Sequence, residues 1–399
     1  MKISKNAKKI IETLNNANFE AYVVGGCVRD SLMGKVPKDF DITTSAKPEE
    51  VIPLFKKVFE TGIQHGTVTV VLDSENFEVT TYRLDGEYKD NRRPEQVFFT
   101  SNLEEDLTRR DFTINAIAYH PENGYFDPYG GTKDIENKLI KGVGNADTRF
   151  KEDALRMMRA IRFSSQLGFS IEENTLNALS QNVGLIEHIS IERTRDEFLK
   201  AMLGDYLDNA LMFNKYEIFK YVNLELYNYL QKYFEKKIKI IKRCKKDVNL
   251  RLVSLFHEME NEQLEKLLVF LRLDNKSIKY ITTLSKYLNK IISPDFYNLR
   301  KVASKIGHDW FLDVLYLKEI FEEDTAIHKE ILEKIIQSND PLTLKDLKID
   351  GNILMKENIC AGREIGNTLN FLLDMVHQNP ENNTAERLLQ LAKKFVETQ

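Results

Sequence analysis

The residue pattern of the chain changes about one third of the way along, and this change constrains the fold more than any other feature. Up to about residue 148, short runs rich in β-branched residues alternate with helical patterns and are separated by turn residues. Such runs are typical of strands. From Arg149 onward, apolar residues recur at helical spacing and strand patterns are almost absent. The sequence therefore predicts an α+β part followed by an all-helical remainder.

The predicted strands and domain limits follow from the same pattern. At about 150 residues per domain, a chain of 399 residues suggests two to four domains. The predicted strands cover residues 21–26, 40–43, 67–73 and 77–83. Weak breaks near Gly204 and Ser293 divide the helical remainder. The predicted domains are residues 1–148, 149–204, 205–293 and 294–399.

Composition excludes some classes of protein and leaves others open. Lys and Arg number 57 against 61 Asp and Glu, a net charge of −4, so the total charge alone gives no reason to expect a nucleic-acid partner. Three well-separated cysteines offer no disulfide framework, which fits a reducing compartment. No apolar run approaches the roughly 20 residues of a membrane span. We expect a cytoplasmic protein that does not associate with membranes.

Two aspartates flank a phenylalanine in the predicted strand at residues 39–43. Asp39 and Asp41 would point to the same side, because strand side chains alternate between faces. Neighbouring carboxylates repel unless a cation lies between them, and hard oxygen ligands suit Mg²⁺. The alternative is a solvated strand edge. Glu78, on another predicted strand, could complete the site or form an ion pair with Arg83.

A glycine pair stands about a dozen residues upstream of these aspartates. Gly25 and Gly26 join a predicted strand to a predicted helix, and Arg29 follows within that helix. Glycines let the backbone approach a phosphate closely, and free N–H groups at a helix start favour an anion. A plain tight turn is the alternative. A phosphate cradle beside two carboxylates is the arrangement that phosphoryl transfer needs.

A third candidate site is the segment 152–162, which is predicted to be one helix. Asp153, Arg156, Arg159 and Arg162 recur every third residue beside a parallel apolar stripe. The pattern also fits an ordinary amphipathic helix with a solvated face and an ion pair three residues apart.

Taken together, these motifs resemble the bacterial CCA tRNA nucleotidyltransferases, which are class II members of the polymerase-β nucleotidyltransferase superfamily and related to the poly(A) polymerases. The resemblance spans roughly residues 20–200 and is looser in the C-terminal third. The matching motifs are GGCVRD at 25–30, DFDITT at 39–44, the loop at 85–99, RRDFTINA at 109–116, DPYGG at 127–131, RFKEDALRMMRAIRF at 149–163 and LGFSIEENT at 167–175.

The resemblance implies a fold and a role for each matched position. It implies a nucleotidyltransferase head with a small mixed sheet flanked by helices, followed by a helical neck, body and tail. Asp39 and Asp41 would be the catalytic ligands of Mg²⁺. The residues implied to bind the nucleotide are Gly26, Arg29, Arg110, Asp153, Arg156, Arg159 and Arg162. Asp111, beside Arg110, has an alternative role as the N-cap of a helix predicted over residues 112–119.

The chemistry of Asp153 and Arg156 agrees with a role in reading the base. Cytosine and adenine both present an amino donor beside a ring-nitrogen acceptor, whereas uracil and guanine present the reverse. A carboxylate only accepts hydrogen bonds and a guanidinium only donates them. An Asp–Arg pair therefore matches C and A and leaves polar groups unpaired with U or G.

The implied activity is template-independent addition and repair of the 3′-terminal CCA of tRNA from CTP and ATP, with release of pyrophosphate. The loop at 85–99 favours full CCA addition or addition of A alone, since relatives that add only CC lack it. A bacterial poly(A) polymerase is a second alternative, and an RNA-binding protein on a degenerate head is a third. We expect a monomer or homodimer whose helical remainder binds tRNA, with a basic run at residues 236–246 as one candidate contact.

Overall fold

The computed structural model describes residues 1–37, 39–86 and 97–398. It divides the chain into two units, residues 1–235 and 236–399. The division into four domains stays a prediction. Most of the loop at 85–99 lies outside the described residues.

All strands among the described residues lie in the first unit. They are β1 (Ala21–Val24), β2 (Asp41–Thr44), β3 (Val58–Gly62), β4 (Thr67–Leu72), β5 (Glu75–Thr81), β6 (Arg83–Asp85), β7 (Val97–Phe99), β8 (Ala118–His120), β9 (Gly124–Phe126), β10 (Leu139–Ile140) and β11 (Ser170–Ile171). Seven form one sheet in the order β3-β4-β5-β2-β1-β8-β9. The sheet is mixed, because β2 and β5 run parallel while the other neighbours are antiparallel.

In the first unit, helices alternate with the strands along the chain, and after β11 only helices follow. The helices of this unit are α1 (Lys5–Asn16), α2 (Gly26–Leu32), α3 (Pro48–Val51), α4 (Leu103–Thr108), α5 (Gly131–Glu136), α6 (Ala146–Glu152), α7 (Leu155–Leu167), α8 (Glu173–Asn182), α9 (Ile191–Met202), α10 (Met212–Lys215) and α11 (Leu224–Arg243), the last of which extends into the second unit. Apolar faces at helical spacing bury residues such as Met157 and Ile161 of α7.

The second unit is helical throughout its described residues. Its further helices are α12 (Val248–Phe256), α13 (Asn261–Phe270), α14 (Asn275–Leu288), α15 (Phe296–Ile306), α16 (His308–Ile320), α17 (Ala326–Gln337), α18 (Gly351–Lys356), α19 (Arg363–Gln378) and α20 (Ala385–Glu397). Aliphatic side chains including Leu354, Leu372 and Leu388 form a buried cluster near the C-terminus. Among the described helices, none has the length and apolar character required of a membrane span.

The predicted fold class is confirmed, and so are the four predicted strands, which correspond to β1, β2, β4 and β5. The helix predicted over residues 112–119 is wrong. Its residues instead form a short 3₁₀ turn at Thr113–Asn115 followed by β8. Strand β8 pairs with β1, so sheet pairing takes precedence over the local pattern in this segment.

The single helix predicted through residues 152–162 is interrupted. Helix α6 ends at Glu152 and α7 begins at Leu155, while Asp153 has an extended backbone with φ −138° and ψ 101°. Its carboxylate Oδ1 accepts a hydrogen bond from the Leu155 N–H at 3.1 Å. Short acidic side chains that bond to nearby backbone compete with helix formation, which accounts for the break.

Candidate nucleotide-binding site

A cavity of about 430 Å³ in the first unit gathers most of the polar residues that the sequence singles out. Its lining carries six arginines against three aspartates, an excess of positive charge that suits a polyanionic ligand. The lining residues are Gly25, Gly26, Arg29, Asp41, Arg109, Arg110, Asp111, Asn115, Asp153, Leu155, Arg156, Arg159, Phe163 and Arg193.

The turn between β1 and α2 brings backbone to the cavity wall. Gly25 has φ +79°, a conformation that other residues rarely adopt. A Cβ placed on it would lie 3.3 Å from Nη1 of Arg110 and 3.9 Å from Oδ2 of Asp41. The glycine therefore keeps open the space between a cation and a carboxylate, as expected of a backbone that approaches a ligand.

Arg29, on α2, is buried and firmly oriented. Its Nη1 donates to Oδ1 of Asn115 at 2.7 Å, and its Nε and Nη2 both donate to Oδ1 of Asp30, at 2.9 and 2.7 Å. The guanidinium also lies 5.1 Å from the ring centroid of Phe163. These contacts fix the guanidinium against the cavity wall at little further cost in side-chain entropy when a ligand binds.

Asp106 anchors two arginines from behind the wall. Arg109 donates to its Oδ1 at 2.8 Å and Arg110 to its Oδ2 at 3.2 Å. Burial alone would raise the pKa of Asp106, but the two guanidinium groups lower it below its usual value. Nε of Arg110 is buried and has no hydrogen-bond partner among the described residues, so one donor of this side chain is not used within the protein.

A partly buried ion pair joins the 109–116 motif to helix α7. Nε and Nη2 of Arg159 donate to Oδ2 of Asp111 at 2.8 and 2.6 Å, while Asn115 donates to Oδ1 at 3.0 Å. Burial opposes ionisation of Asp111, but Arg159 and Asn115 outweigh it and lower its pKa to about 2. The alternative role for Asp111 as a helix N-cap is excluded, because no α-helix begins there and the short 3₁₀ turn that follows has Phe112 as its N-cap.

Asp153 and Arg156 both line the cavity, but they do not pair with each other as the helical stripe suggested. Nη2 of Arg193 donates to Oδ2 of Asp153 at 2.7 Å. Nη1 of Arg156 instead donates to Glu152 at 2.7 Å, and its Nη2 donates to the carbonyl of Arg109 at 2.7 Å. The helix break at Asp153 explains the difference, since the extended backbone of Asp153 removes it from the helical face that carries Arg156.

The two aspartates predicted to bind metal occupy different positions. Strand β2 begins at Asp41, which pairs with the last residue of β1, so Asp39 precedes the strand and has no partner in the sheet. Asp41 lines the main cavity, whereas Asp39 lines a neighbouring one of about 330 Å³. Partial burial and the carboxylates of Glu78 and Asp39 raise the pKa of Asp41, while Arg110 acts against them.

This electrostatic cluster is the observation that bears on a metal ion. A carboxylate whose pKa is raised by neighbouring carboxylates, as that of Asp41 is, is stabilised by a cation, and carboxylate oxygens are suitable ligands for a divalent one. The residues therefore fit such an ion. In the part of the chain that is described, no group of three or more His, Cys, Asp or Glu side chains is arranged to hold a metal ion.

Of the residues predicted to bind the nucleotide, six line the cavity. They are Gly26, Arg29, Arg110, Asp153, Arg156 and Arg159. Arg162 is absent from the lining, because its Nε is tied to the buried carboxylate of Glu197. Sequence reasoning missed Arg109, Asn115, Phe163 and Arg193. The first three lie within quoted motifs, but nothing local in the sequence links Arg193 to Asp153, 40 residues away.

Comparison with known proteins identifies related families in three successive parts of the chain. Residues 21–141 match the family "Poly A polymerase head domain", residues 168–230 match "Probable RNA and SrmB-binding site of polymerase A", and residues 241–392 match the second domain of the tRNA nucleotidyltransferases. The CCA-adding enzyme of Lactobacillus helveticus is 36% identical over 93% of this chain and 92% of its own length. That of Ligilactobacillus salivarius is 37% identical over 98% and 97%.

Solved structures of CCA-adding enzymes share the fold of this chain. The crystal structure of the Bacillus stearothermophilus CCA-adding enzyme in complex with CTP has a TM-score of 0.85 and 32% identity, and it covers 98% of this chain and 97% of that one. A Thermotoga maritima CCA-adding enzyme complexed with tRNA shares the fold at a TM-score of 0.63 and 21% identity.

The lowered pKa of Asp111 predicts a change of stability with pH. Because the folded-state pKa, about 2, lies below the ordinary 3.8, the Asp111 charge stabilises the fold above about pH 4, and this contribution is lost as the pH falls toward 2. Asp111→Asn should therefore lower the free energy of unfolding at pH 7 by about 2 kcal/mol, and about half of that difference should disappear at pH 3.

Urea unfolding of both proteins at the two pH values measures this effect. Asp309→Asn, which alters an exposed carboxylate, is the control and should change stability little at either pH. An Asp111→Asn effect of equal size at pH 7 and pH 3 would contradict the assigned pKa.

Proposed function

The chain belongs to the family of CCA-adding enzymes, and we propose that the cavity of its first unit is where the incoming nucleotide binds. The protein is a nucleotidyltransferase that adds the CCA sequence to the 3′ end of tRNA from CTP and ATP. The observation that carries the assignment of the site is the joint presence, in one cavity, of six arginines and the Asp153–Arg156 combination.

The arginines divide between two tasks. Arg29 and Arg110 lie beside the Gly25 turn and next to Asp41, so we assign them to the triphosphate. Their counter-ions, Asp30 and Asp106, hold the guanidinium groups in place before the nucleotide arrives. A preformed cationic wall stabilises the charge of the triphosphate and of the leaving pyrophosphate without reorganisation.

Enzymes of this family use divalent metal ions, and we propose that Asp39 and Asp41 hold Mg²⁺. Such an ion, when bound, would neutralise phosphate charge and activate the RNA 3′-hydroxyl. Asp41 lies on the cavity wall, so it is the aspartate that we place nearest to the nucleotide phosphates. Asp39 would complete the ligand pair from the segment before β2.

Asp153 and Arg156 would recognise the base. A carboxylate accepting from the amino group and a guanidinium donating to the ring nitrogen suit cytosine and adenine alike. With uracil or guanine, an oxo group would face the carboxylate and an N–H would face the guanidinium. Asp153 lies in the break between α6 and α7, and Arg156 lies in the first turn of α7.

We propose that the helical second unit contributes to tRNA binding through the exposed side of its basic run. Lys236, Lys239 and Lys245 are exposed, and lysines near a phosphate backbone provide affinity that does not depend on sequence. Lys237 belongs to the interior instead. Its Nζ donates to the carbonyl of Leu255 at 2.9 Å, and burial lowers its pKa to about 8.

Incorporation of single nucleotides tests the function. The purified protein should add C to tRNA that ends at the discriminator base or at the first C, and A to tRNA that ends in CC. Each step needs only the matching nucleotide and Mg²⁺. Failure to incorporate CTP with normal use of ATP would indicate an A-adding enzyme, and long oligo(A) on unrelated RNA would indicate a poly(A) polymerase.

Removal of either proposed metal ligand should abolish turnover. Asp39→Ala and Asp41→Ala should each reduce incorporation at saturating substrate by at least about a hundredfold, since the charge that balances the metal ion is lost. Affinity for tRNA, measured by filter binding, should stay nearly constant. Glu49→Ala, at an exposed carboxylate on α3, is the control, and full activity of either aspartate variant would refute the assignment.

Replacement of a base-reading residue should alter the choice of nucleotide. Asp153→Ala or Arg156→Ala removes one of the two hydrogen-bonding partners, so the preference for CTP and ATP over UTP and GTP should fall by about tenfold or more. The ratio of kcat/KM values for CTP and UTP measures the effect. An unchanged ratio in both variants would rule out the base-reading role.

A further inference from the structure

Arg193 reaches the nucleotide cavity from α9, a helix that carries no other residue of the cavity lining. Its guanidinium makes a 2.7 Å ion pair with Oδ2 of Asp153. Its Nη1 is buried and has no hydrogen-bond partner within the described residues. A buried unpaired donor lowers stability, so the packing of the fold alone does not account for an arginine at this position.

The ion pair has a geometric consequence for Asp153. Oδ2 accepts from Arg193 while Oδ1 accepts from the backbone N–H of Leu155, so both ends of the carboxylate are held. Rotation about the bond to the carboxylate is thereby restrained, and each oxygen still has a lone pair to offer. Asp153 can present a fixed acceptor to the cavity, whereas a freely rotating carboxylate would adjust to different partners.

We propose that Arg193 is a positioning residue for nucleotide selection, which acts by fixing the plane of the Asp153 carboxylate. A fixed acceptor meets the amino group of cytosine or adenine directly and faces the oxo group of uracil or guanine without adjusting. This inference rests on the proposed base-reading role of Asp153. Arg193 itself does not need to contact the nucleotide.

The test compares nucleotide selectivity among variants of the full-length protein. Arg193→Met should reduce the ratio of kcat/KM for CTP over UTP by about tenfold, because a charge-assisted hydrogen bond that orients Asp153 is lost. Arg193→Lys keeps one charged donor and should retain an intermediate ratio. The matched control is Arg195→Met on the same helix, whose guanidinium pairs with Asp196 outside the cavity lining and whose loss should leave the ratio unchanged.

Combination with Asp153→Asn separates positioning from general loss of structure. If Arg193 acts through Asp153, then adding Arg193→Met to Asp153→Asn should change selectivity no further. An unchanged ratio in Arg193→Met, or fully additive effects in the double variant, would overturn the inference. If Arg193→Met does not fold, Arg193→Lys decides, and a ratio equal to that of the unaltered protein overturns the inference.

The same measurements distinguish the positioning role of Arg193 from the proposed base-reading role of Asp153. Relaxed selectivity in Asp153→Ala with normal selectivity in Arg193→Met would leave base reading intact and reject the positioning role. Normal selectivity in Asp153→Ala would instead reject base reading itself, and with it any role for Arg193 in nucleotide choice.

Discussion

The partly buried ion pair between Asp111 and Arg159 is the interaction on which the candidate site depends. It joins the motif before β8 to α7, so it connects the sheet to the first helices of the helical region. Removing charges from water is costly, and this pair offsets the cost with two direct hydrogen bonds and a third from Asn115. Loss of one partner would leave an uncompensated charge inside the unit.

The same arrangement recurs around the cavity with other partners. Asp106 holds Arg109 and Arg110, Asp30 holds Arg29, and Glu152 holds Arg156. In each case a carboxylate outside the cavity lining orients a guanidinium that faces the cavity. The arginines are therefore held in place and charged before a ligand binds, so the positive potential of the cavity is already present in the free protein.

How much of the fold and of the candidate site could be predicted from the sequence depends on how far apart in the chain the interacting residues are. Strands β1 and β2 and the Gly25–Gly26 turn have local signals, and these predictions correspond to the structure. In the motif at 109–116, Arg110 lines the cavity, but the helix predicted from residue 112 does not form. The break at Asp153 has no such signal, because the surrounding apolar spacing continues through it. Arg193 and Asp106 were missed for a related reason, since their importance comes from contacts with residues far away in sequence or behind the wall.

Asp39 and Arg162 lie at two positions where the local structure departs from a regular sequence pattern. Alternation along a strand placed Asp39 beside Asp41, but β1 ends at Val24 and the pairing that would extend β2 to Asp39 is missing. Repetition every three residues placed Arg162 with Arg156 and Arg159. Such a stripe drifts around a helix, and Arg162 pairs with Glu197 outside the cavity lining, while Arg159 also approaches Glu197 at 3.9 Å.

The net charge of −4 can now be interpreted through placement. Six arginines surround one cavity, and exposed lysines lie on one side of α11 and the residues that follow it, while the balancing carboxylates are distributed over the rest of the surface or hold these arginines from behind. Electrostatic affinity for a phosphate backbone is set by the cations that contact it, and bulk charge adds indiscriminate attraction to any polyanion. A protein that must bind each tRNA, extend it and release it benefits from cations at the contact surface and does not benefit from a general attraction to any polyanion. The acidic total is therefore compatible with a nucleic-acid substrate, and it favours turnover over retention.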